Sequence, residues 1–341
     1  MPPPLISISA GEIRRIGHAA LARHTSNPET RTRVLESLLQ NQIAGYPSHG
    51  LLRLPEYLEE LRLGRINPNA TPQVTRRSAS GFEVDGQRSF GVLAADAVSN
   101  TLLQQLADTP LVAVSLINSH HIGRLADIAR PVAEAGYLLM GYCNYLGAGQ
   151  KVIPPGNHSG KLCTNPMLFA APGDGAPLIL DMTTSTVAEG KIRSHWLEGK
   201  PVPHGWLVDR DFQPVTDASR LYSEPPSAFM TPLGGHDHAY KGFGLAMFCE
   251  IFAGILTGAT FCGQASTAAG GNGGMFIGLH PNLFGQSASQ FAKNLDIFNQ
   301  HLLAGGENRL PGQSVAPQVI PDDWQLQLSS TILEYLEHAA H

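Results

Sequence analysis

The chain has 341 residues, with 23 Lys+Arg against 28 Asp+Glu and a formal net charge of -5. At about 150 residues per domain, this length suggests two compact domains or one large domain with an insertion. A hydrophobic fraction of 43% supports a sizeable core and excludes wholesale disorder, while the acidic balance leaves no basic footprint for nucleic acid and no polybasic membrane patch.

The first 65 residues read as helical. Asn27 before Pro28 is an N-cap with proline at the first helical position, and Val34, Leu38 and Ile43 then form a helical stripe closed by Gly45. A third helix is predicted over 51–63, with Gly64 as terminator and Pro55 tolerated only near its first turn. Beyond Pro68, strands alternate with helices. FEVDGQRSF is a strand with an Asp85-Gly86 turn, followed by a helix over 92–106. PLVAVSLI and YLLMGYCN are buried strands on either side of a helix, IGRLADIARPVAEAG, which is predicted to break near Pro131. PLILD adds a strand, STVAEGKIRSHWLEG a helix, and 241–256 a further buried helix before the glycine-rich TAAGGNGG and the strand MFIGL. Helices over 289–303 and 324–338 close the chain. The implied architecture is α/β: a central domain (71–285) flanked by helical regions from both termini (1–70 and 286–341).

Cys143, Cys163, Cys249 and Cys262 contain no CxxC pair and read as reduced thiols. The N-terminus shows no secretory pattern, and the apolar stretch over 242–258 is interrupted by Glu250 and glycines, so a cytoplasmic protein is expected. No GxGxxG follows any predicted strand; GAGQKV at Gly147 lacks the third glycine.

Four clusters could carry chemistry. His49, Arg53 and Tyr57, behind Ser48, are spaced by four and would share one helix face, where they could move a proton and grip a carboxylate; the alternative is a capped helix surface. Ser119-His120-His121-Ile122-Gly123-Arg124 follows a buried strand and precedes a helix, a place where α/β folds gather ligands; a pair of idle loop histidines is the alternative. Thr164-Asn165-Pro166 with Asp181-Met182-Thr183-Thr184-Ser185 suits helix capping or ribose and phosphate contacts. Pro232-Leu233-Gly234-Gly235 with Tyr240-Lys241 places a lysine at a helix start, sensible only if an anion docks there. His236 and His238 are too few for a metal site.

Taken in order, SHGLLRLPEYLEELRLGRINP, NSHHIGRLADIA, LCTNPMLFAAPGDG, LILDMTTSTVAEGK, GWLVDRDFQPVTD, PLGG, KGFGLAMFCEIFAGILTGA and RLPGQ resemble the malate/L-lactate dehydrogenase family, the NAD(P)-dependent 2-hydroxyacid dehydrogenases that lack a Rossmann fold. The resemblance implies a mostly antiparallel or mixed central sheet, a homodimer, a small-molecule acid substrate, NAD or NADP as coenzyme, and no metal. It implies that His49, beside Ser48, donates and accepts the proton, that Arg53 holds the substrate carboxylate with Tyr57 in the pocket, and that His121 serves either acid/base work or the coenzyme. Ile122, Gly123, Arg124, Thr164, Asp181, Met182, Thr183, Tyr240, Lys241, Gly312, Gln313 and Ser314 match coenzyme-binding positions. Lys191 stands where the cyclic-imine reductases of the family carry an acid, which favours the hydroxyacid branch over NADPH-dependent reduction of Δ1-pyrroline-2-carboxylate or Δ1-piperideine-2-carboxylate. Rival readings are a metal hydrolase using His120, His121, His236 and His238, and a ligand-binding relative without turnover.

Overall fold

The computed structural model describes residues 4–147, 149–173, 175–264, 270–307, 309–312 and 319–340. A strand, not a helix, opens the chain: β1 (Leu5–Ser9) leads into α1 (Ala10–Ala22), where Ser9 caps the helix by accepting from the Glu12 N–H. In α2 (Pro28–Ile43), Asn27 Oδ1 accepts from the Glu29 and Thr30 N–H groups, the capping that Asn-Pro predicts. The helix expected over 51–63 begins as two 3-10 turns, Pro47–His49 and Leu51–Arg53, and becomes α-helical only in α3 (Leu54–Arg62).

The central elements follow as β2 (Gln73–Arg76), β3 (Gly81–Asp85), α4 (Gly91–Leu106), β4 (Leu111–Ser119), α5 (Leu125–Glu134), β5 (Leu138–Tyr145), β6 (Met167–Ala171) and β7 (Leu178–Met182). Next come α6 (Glu189–Leu197), the short strands β8 (Leu207–Val208), β9 (Pro214–Val215) and β10 (Phe229–Met230), α7 (Gly235–Cys249) and a π-helical segment, Glu250–Ile255. The chain ends with β11 (Asn272–Leu279), α8 (Ala288–Leu303), β12 (Gln325–Ser329) and α9 (Ser330–Ala340). Pro131 does not break α5. Leu125, Ile128, Ala129, Val132 and Ala133 are all buried, and that apolar stripe outweighs the one hydrogen bond proline removes. The last helix starts later than expected, because residues 325–329 pair with β1 and tie the two ends of the chain together.

Among the described residues the main sheet has seven strands in the order β2-β3-β4-β11-β5-β6-β7, and only β3 and β4 run parallel. It is therefore the mixed, mostly antiparallel α/β sheet the resemblance implies. Val112, Val114 and Leu116 of β4 point into a core shared with Ala94, Val98 and Leu102 of α4 and Ile128 and Val132 of α5. A second core joins Ile13, Ile16, Leu35, Leu39 and Leu58 of the first helices to Leu326, Leu328 and Leu336 near the C-terminus. The three-stranded sheet β10-β8-β9 has its own cluster with Ile192 of α6. β11 inserts between β4 and β5, pairing Asn272 with Ser119 on one side and Tyr145 on the other. The carboxyl ends of β4 and β5 thus meet at one edge, where the site is built.

Candidate active site

A cavity of about 330 Å³ opens at this edge, and His49, Arg53, His120, His121, Ile122, Gly123 and Thr164 all line it. The first and second clusters, distant in the chain, meet there. His49 Nδ1 lies 3.2 Å from His121 Nε2, the two rings are stacked with centroids 5.2 Å apart, and the Tyr57 hydroxyl lies 2.7 Å from His121 Nδ1. His49, Arg53 and Tyr57 do not share one helix, because extended backbone at Gly50 separates the 3-10 turns that end in His49 and Arg53. Tyr57, expected in the pocket, is buried behind the cavity wall and holds His121 from that side.

Two glycines permit this convergence. A side chain at Gly91, the first residue of α4, would collide with the His121 and His120 carbonyls. One at Gly190 on α6 would collide with the Ser48 side chain. Ser48 itself contributes its carbonyl, which accepts from Arg53 Nε at 2.7 Å. Arg53 Nη1 donates to Glu56 at 2.8 Å, and Nη2 has no hydrogen-bond partner among the described residues.

Burial, then the charges of Arg53 and Arg124, push the His49 imidazole down to about 3. Burial likewise lowers His121 well below its ordinary value and lowers His120, while it raises the Tyr57 phenol. The His49 and His121 rings are therefore neutral, and the Tyr57 phenol keeps its proton. One proton added to this chain can rest on either imidazole, with the Tyr57 oxygen accepting from His121 Nδ1–H.

The third and fourth clusters are joined by hydrogen bonds, and of them only Thr164, Asn165 and Pro166 line the cavity. The Thr184 hydroxyl donates to the Thr164 and Asn165 carbonyls, Leu233 N–H to the Thr184 carbonyl, and Gly242 N–H to the Leu233 carbonyl. Asp181 caps α5 from outside that helix, its Oδ2 accepting from Ala126 N–H at 2.9 Å, and burial raises it to about 6. Arg124 pairs with Asp127 at 2.6 Å and lies over the Tyr46 ring. Met182 ends β7, and the Thr183 hydroxyl turns to the Ser185 carbonyl. Lys241 is exposed with its Nζ above the exposed Tyr240 ring. α7 starts earlier than expected, at Gly235, but non-helical backbone at His238 kinks it, so Lys241 still lies in the first turn of the second segment. Gly312 follows Pro311, whose carbonyl accepts from Ile179 N–H of β7. Asp181, Met182, Thr183, Tyr240, Lys241 and Gly312 do not line the cavity. Gln313 and Ser314 lie outside the described residues.

Several lining residues were not singled out from the sequence. Lys151 pairs with Glu189 at 2.9 Å, and Tyr222 donates to the same carboxylate. Arg193, one turn along α6 from Glu189, is half-buried with no hydrogen-bond or ion-pair partner among the described residues. Asn144 and Asn165 each donate an amide N–H to the buried Glu250 carboxylate at 2.8 Å, leaving both Oδ1 atoms buried and unpartnered. The fourfold spacing of Glu189 and Arg193 was a readable signal; Asn144 carried none, and Asn165 reads only as part of the Thr164-Asn165-Pro166 cluster. Lys191 is exposed and does not line the cavity. His236 and His238 sit on α7 outside the cavity, and among the described residues no group of three His, Cys, Asp or Glu could hold a metal ion. The metal-hydrolase rival therefore lacks its ligand set.

The sequence pattern of the malate/L-lactate dehydrogenase family matches residues 8–317. An L-lactate dehydrogenase of Cupriavidus necator is 31% identical, over 74% of this chain and 72% of that protein. Hydroxycarboxylate dehydrogenase B of Escherichia coli K12 is 30% identical, over 86% and 79% of the two chains. The solved Δ1-piperideine-2-carboxylate reductase of Pseudomonas syringae superposes with a TM-score of 0.79 at 26% identity, over 98% of this chain and 99% of that one. With its cavity, its paired histidines and this match over most of its length, the chain belongs to the malate/L-lactate dehydrogenase family.

Proposed function

We propose that the protein catalyses reversible hydride transfer between NAD(P) and C2 of a small 2-hydroxy/2-oxo acid. Family membership makes it an oxidoreductase that works with a nicotinamide coenzyme. The observation that carries the rest is the Tyr57–His121–His49 chain ending beside Arg53 in one cavity. Arg53 Nη2 takes the substrate carboxylate and fixes C2 relative to His49. His49 Nε2 removes the hydroxyl proton as C2 is oxidised and returns it on reduction. The carboxylate offsets the Arg53 charge that disfavours the imidazolium, and His121 shares the added proton. The coenzyme, when bound, supplies the hydride acceptor or donor.

The residues present fit a nicotinamide group: the unpartnered Oδ1 atoms of Asn144 and Asn165 belong to cavity-lining residues and suit the donors of a carboxamide. A cavity of about 330 Å³ suits a small acid with the reactive end of the coenzyme. The rest would be held by Ile122, Gly123, Arg124, Thr164, the stretch from Asp181 to Thr183, Tyr240, Lys241 and Gly312 to Ser314. The homodimer is part of this reading, supported by the exposed Phe284, Ile297 and Phe298 on and beside α8, which has no buried residue. A cytoplasmic location is supported by four free thiols and by the absence, among the described residues, of any helix long and apolar enough to cross a membrane.

A second reading, reduction of a cyclic imino acid, is favoured by the reductase of Pseudomonas syringae whose fold this chain shares. Fluorescence titration with NADH and NADPH, then kcat/KM for a panel of 2-oxo acids and preformed cyclic imines with the preferred coenzyme, separates them. The primary reading requires the oxo acids to win; an advantage for the imines selects the second, and no coenzyme binding defeats both.

A further inference from the structure

Cys163 and Cys262 are 99 residues apart in the chain, yet their Sγ atoms lie 3.5 Å from each other. Cys163 is 7% exposed, lines the active-site cavity and donates its S–H to the Gly149 carbonyl at 3.1 Å. Cys262 is half-buried, and its N–H donates at 3.0 Å to the Glu250 carboxylate that also holds Asn144 and Asn165. The other two thiols, Cys143 and Cys249, are buried and donate to backbone carbonyls.

We propose that Cys163 and Cys262 are an oxidative modification site, closed to a disulfide by a hydroperoxide, and that closure slows the enzyme reversibly by pulling on the cavity wall. The more exposed Cys262 reacts first. Its sulfur attacks the peroxide, the O–O bond breaks, and Cys262 becomes a sulfenic acid with release of water. Cys163 sulfur then displaces the sulfenic oxygen as a second water, forming the S–S bond. Two thiols and one hydrogen peroxide give one disulfide and two waters, with two electrons passing from sulfur to the peroxide. The hydrogen bond to Cys262 and burial hold the Cys163 thiol well above the ordinary thiol range, which, with its lower exposure, disfavours it as the sulfur that meets the peroxide first.

Bonded sulfurs stand 2.03–2.05 Å apart, so the pair must approach by about 1.5 Å. Loss of the Cys163 thiol proton removes its hydrogen bond to the Gly149 carbonyl, and the approach draws in the segment that Cys262 anchors to Glu250. Glu250 holds the two cavity-lining asparagines, so the displacement reaches the place proposed for the nicotinamide end. The effect on turnover rests on the proposed function; the cross-link does not.

The test treats the purified full chain with hydrogen peroxide, maps peptides by mass spectrometry without reduction, and measures NAD(P)-linked turnover before and after dithiothreitol. A Cys163–Cys262 cross-link is expected, with a several-fold rise in KM for coenzyme that dithiothreitol reverses. Cys262→Ser should retain its kinetics through the same treatment. Sulfinate or sulfonate on Cys262 without a cross-link, or a bond between other cysteines, overturns the site. A cross-link with unchanged kinetics overturns the coupling to the cavity. A cross-link in a protein with no NAD(P)-linked turnover in either redox state upholds the site and defeats the functional reading instead.

Discussion

His49 Nδ1 and His121 Nε2 stand 3.2 Å apart on stacked rings, although 72 residues separate them in the chain. A neutral imidazole pair backed by a protonated phenol is a proton store with two positions. If His49 is the end that meets substrate, His49→Ala should lower kcat by about 100- to 10,000-fold with coenzyme Kd nearly unchanged. Tyr57→Phe keeps the ring in its packing but removes the group on His121 Nδ1, and should lower kcat/KM by about 3- to 10-fold. Steady-state kinetics with coenzyme titration measures both, and wild-type turnover in His49→Ala would remove it from the mechanism.

The pH dependence of kcat/KM reports groups in the free enzyme. Burial first, then Arg53 and Arg124, hold His49 at about 3, so it stays neutral and able to accept a proton well below pH 6. Oxidation of a hydroxy acid should therefore show no acid limb near pH 6.5 from this residue. Arg53→Met removes the second cause, so the imidazolium becomes easier to form and the acid limb moves to higher pH. A limb at the same pH in both enzymes would show that Arg53 does not act on His49.

Two guanidiniums on one cavity divide the recognition of anions. Arg53→Lys should raise KM for every 2-oxo acid by about 10- to 100-fold, because an ammonium cannot reproduce the fork held by Ser48 and Glu56. Arg193, unpartnered on α6, should matter only for acids with a second anionic group. Comparing pyruvate with oxaloacetate across Arg193→Gln gives the answer: the dicarboxylate should lose preference, and an equal loss for both would place Arg193 on the shared carboxylate.

Asp181 predicts a stability effect whose sign is fixed by its burial. Raised from its ordinary 3.8 to about 6, it binds a proton more tightly in the folded chain than in the unfolded one. That contribution is fully present below about pH 4 and is lost as the pH rises through 6. Asp181→Asn keeps an acceptor for Ala126 N–H but no charge, so its denaturation midpoint, relative to wild type, should rise between pH 4 and 7. A difference independent of pH would mean that Asp181 is not protonated more readily in the fold.

The site was legible where chemistry is concentrated in short segments. Ser48 to Tyr57 and Ser119 to Arg124 carry their histidines, arginines and tyrosine within a few turns of chain, and both converge on the cavity. What the sequence does not show is which segments the sheet brings beside them. Asn144, Lys151 and Arg193 stand singly in the chain and reach the cavity through the insertion of β11 between β4 and β5 and the packing of α6 on Ser48. The same limit applies to β1: Ile6-Ser7-Ile8-Ser9 alternates as a strand should, but its partner β12 is at the opposite end of the chain. Pro131 shows the reverse case, a strong local breaker overruled by a buried stripe.

The central claim is direct hydride transfer to a nicotinamide from C2 of an acid held beside His49. Lactate and malate carrying deuterium at C2, incubated with the protein and NAD+ or NADP+, test it through the mass of the coenzyme formed. One deuterium in the reduced coenzyme from at least one of these acids, at a rate that collapses in His49→Ala, is the predicted result. Reduced coenzyme without label, the deuterium having gone to water, would contradict it.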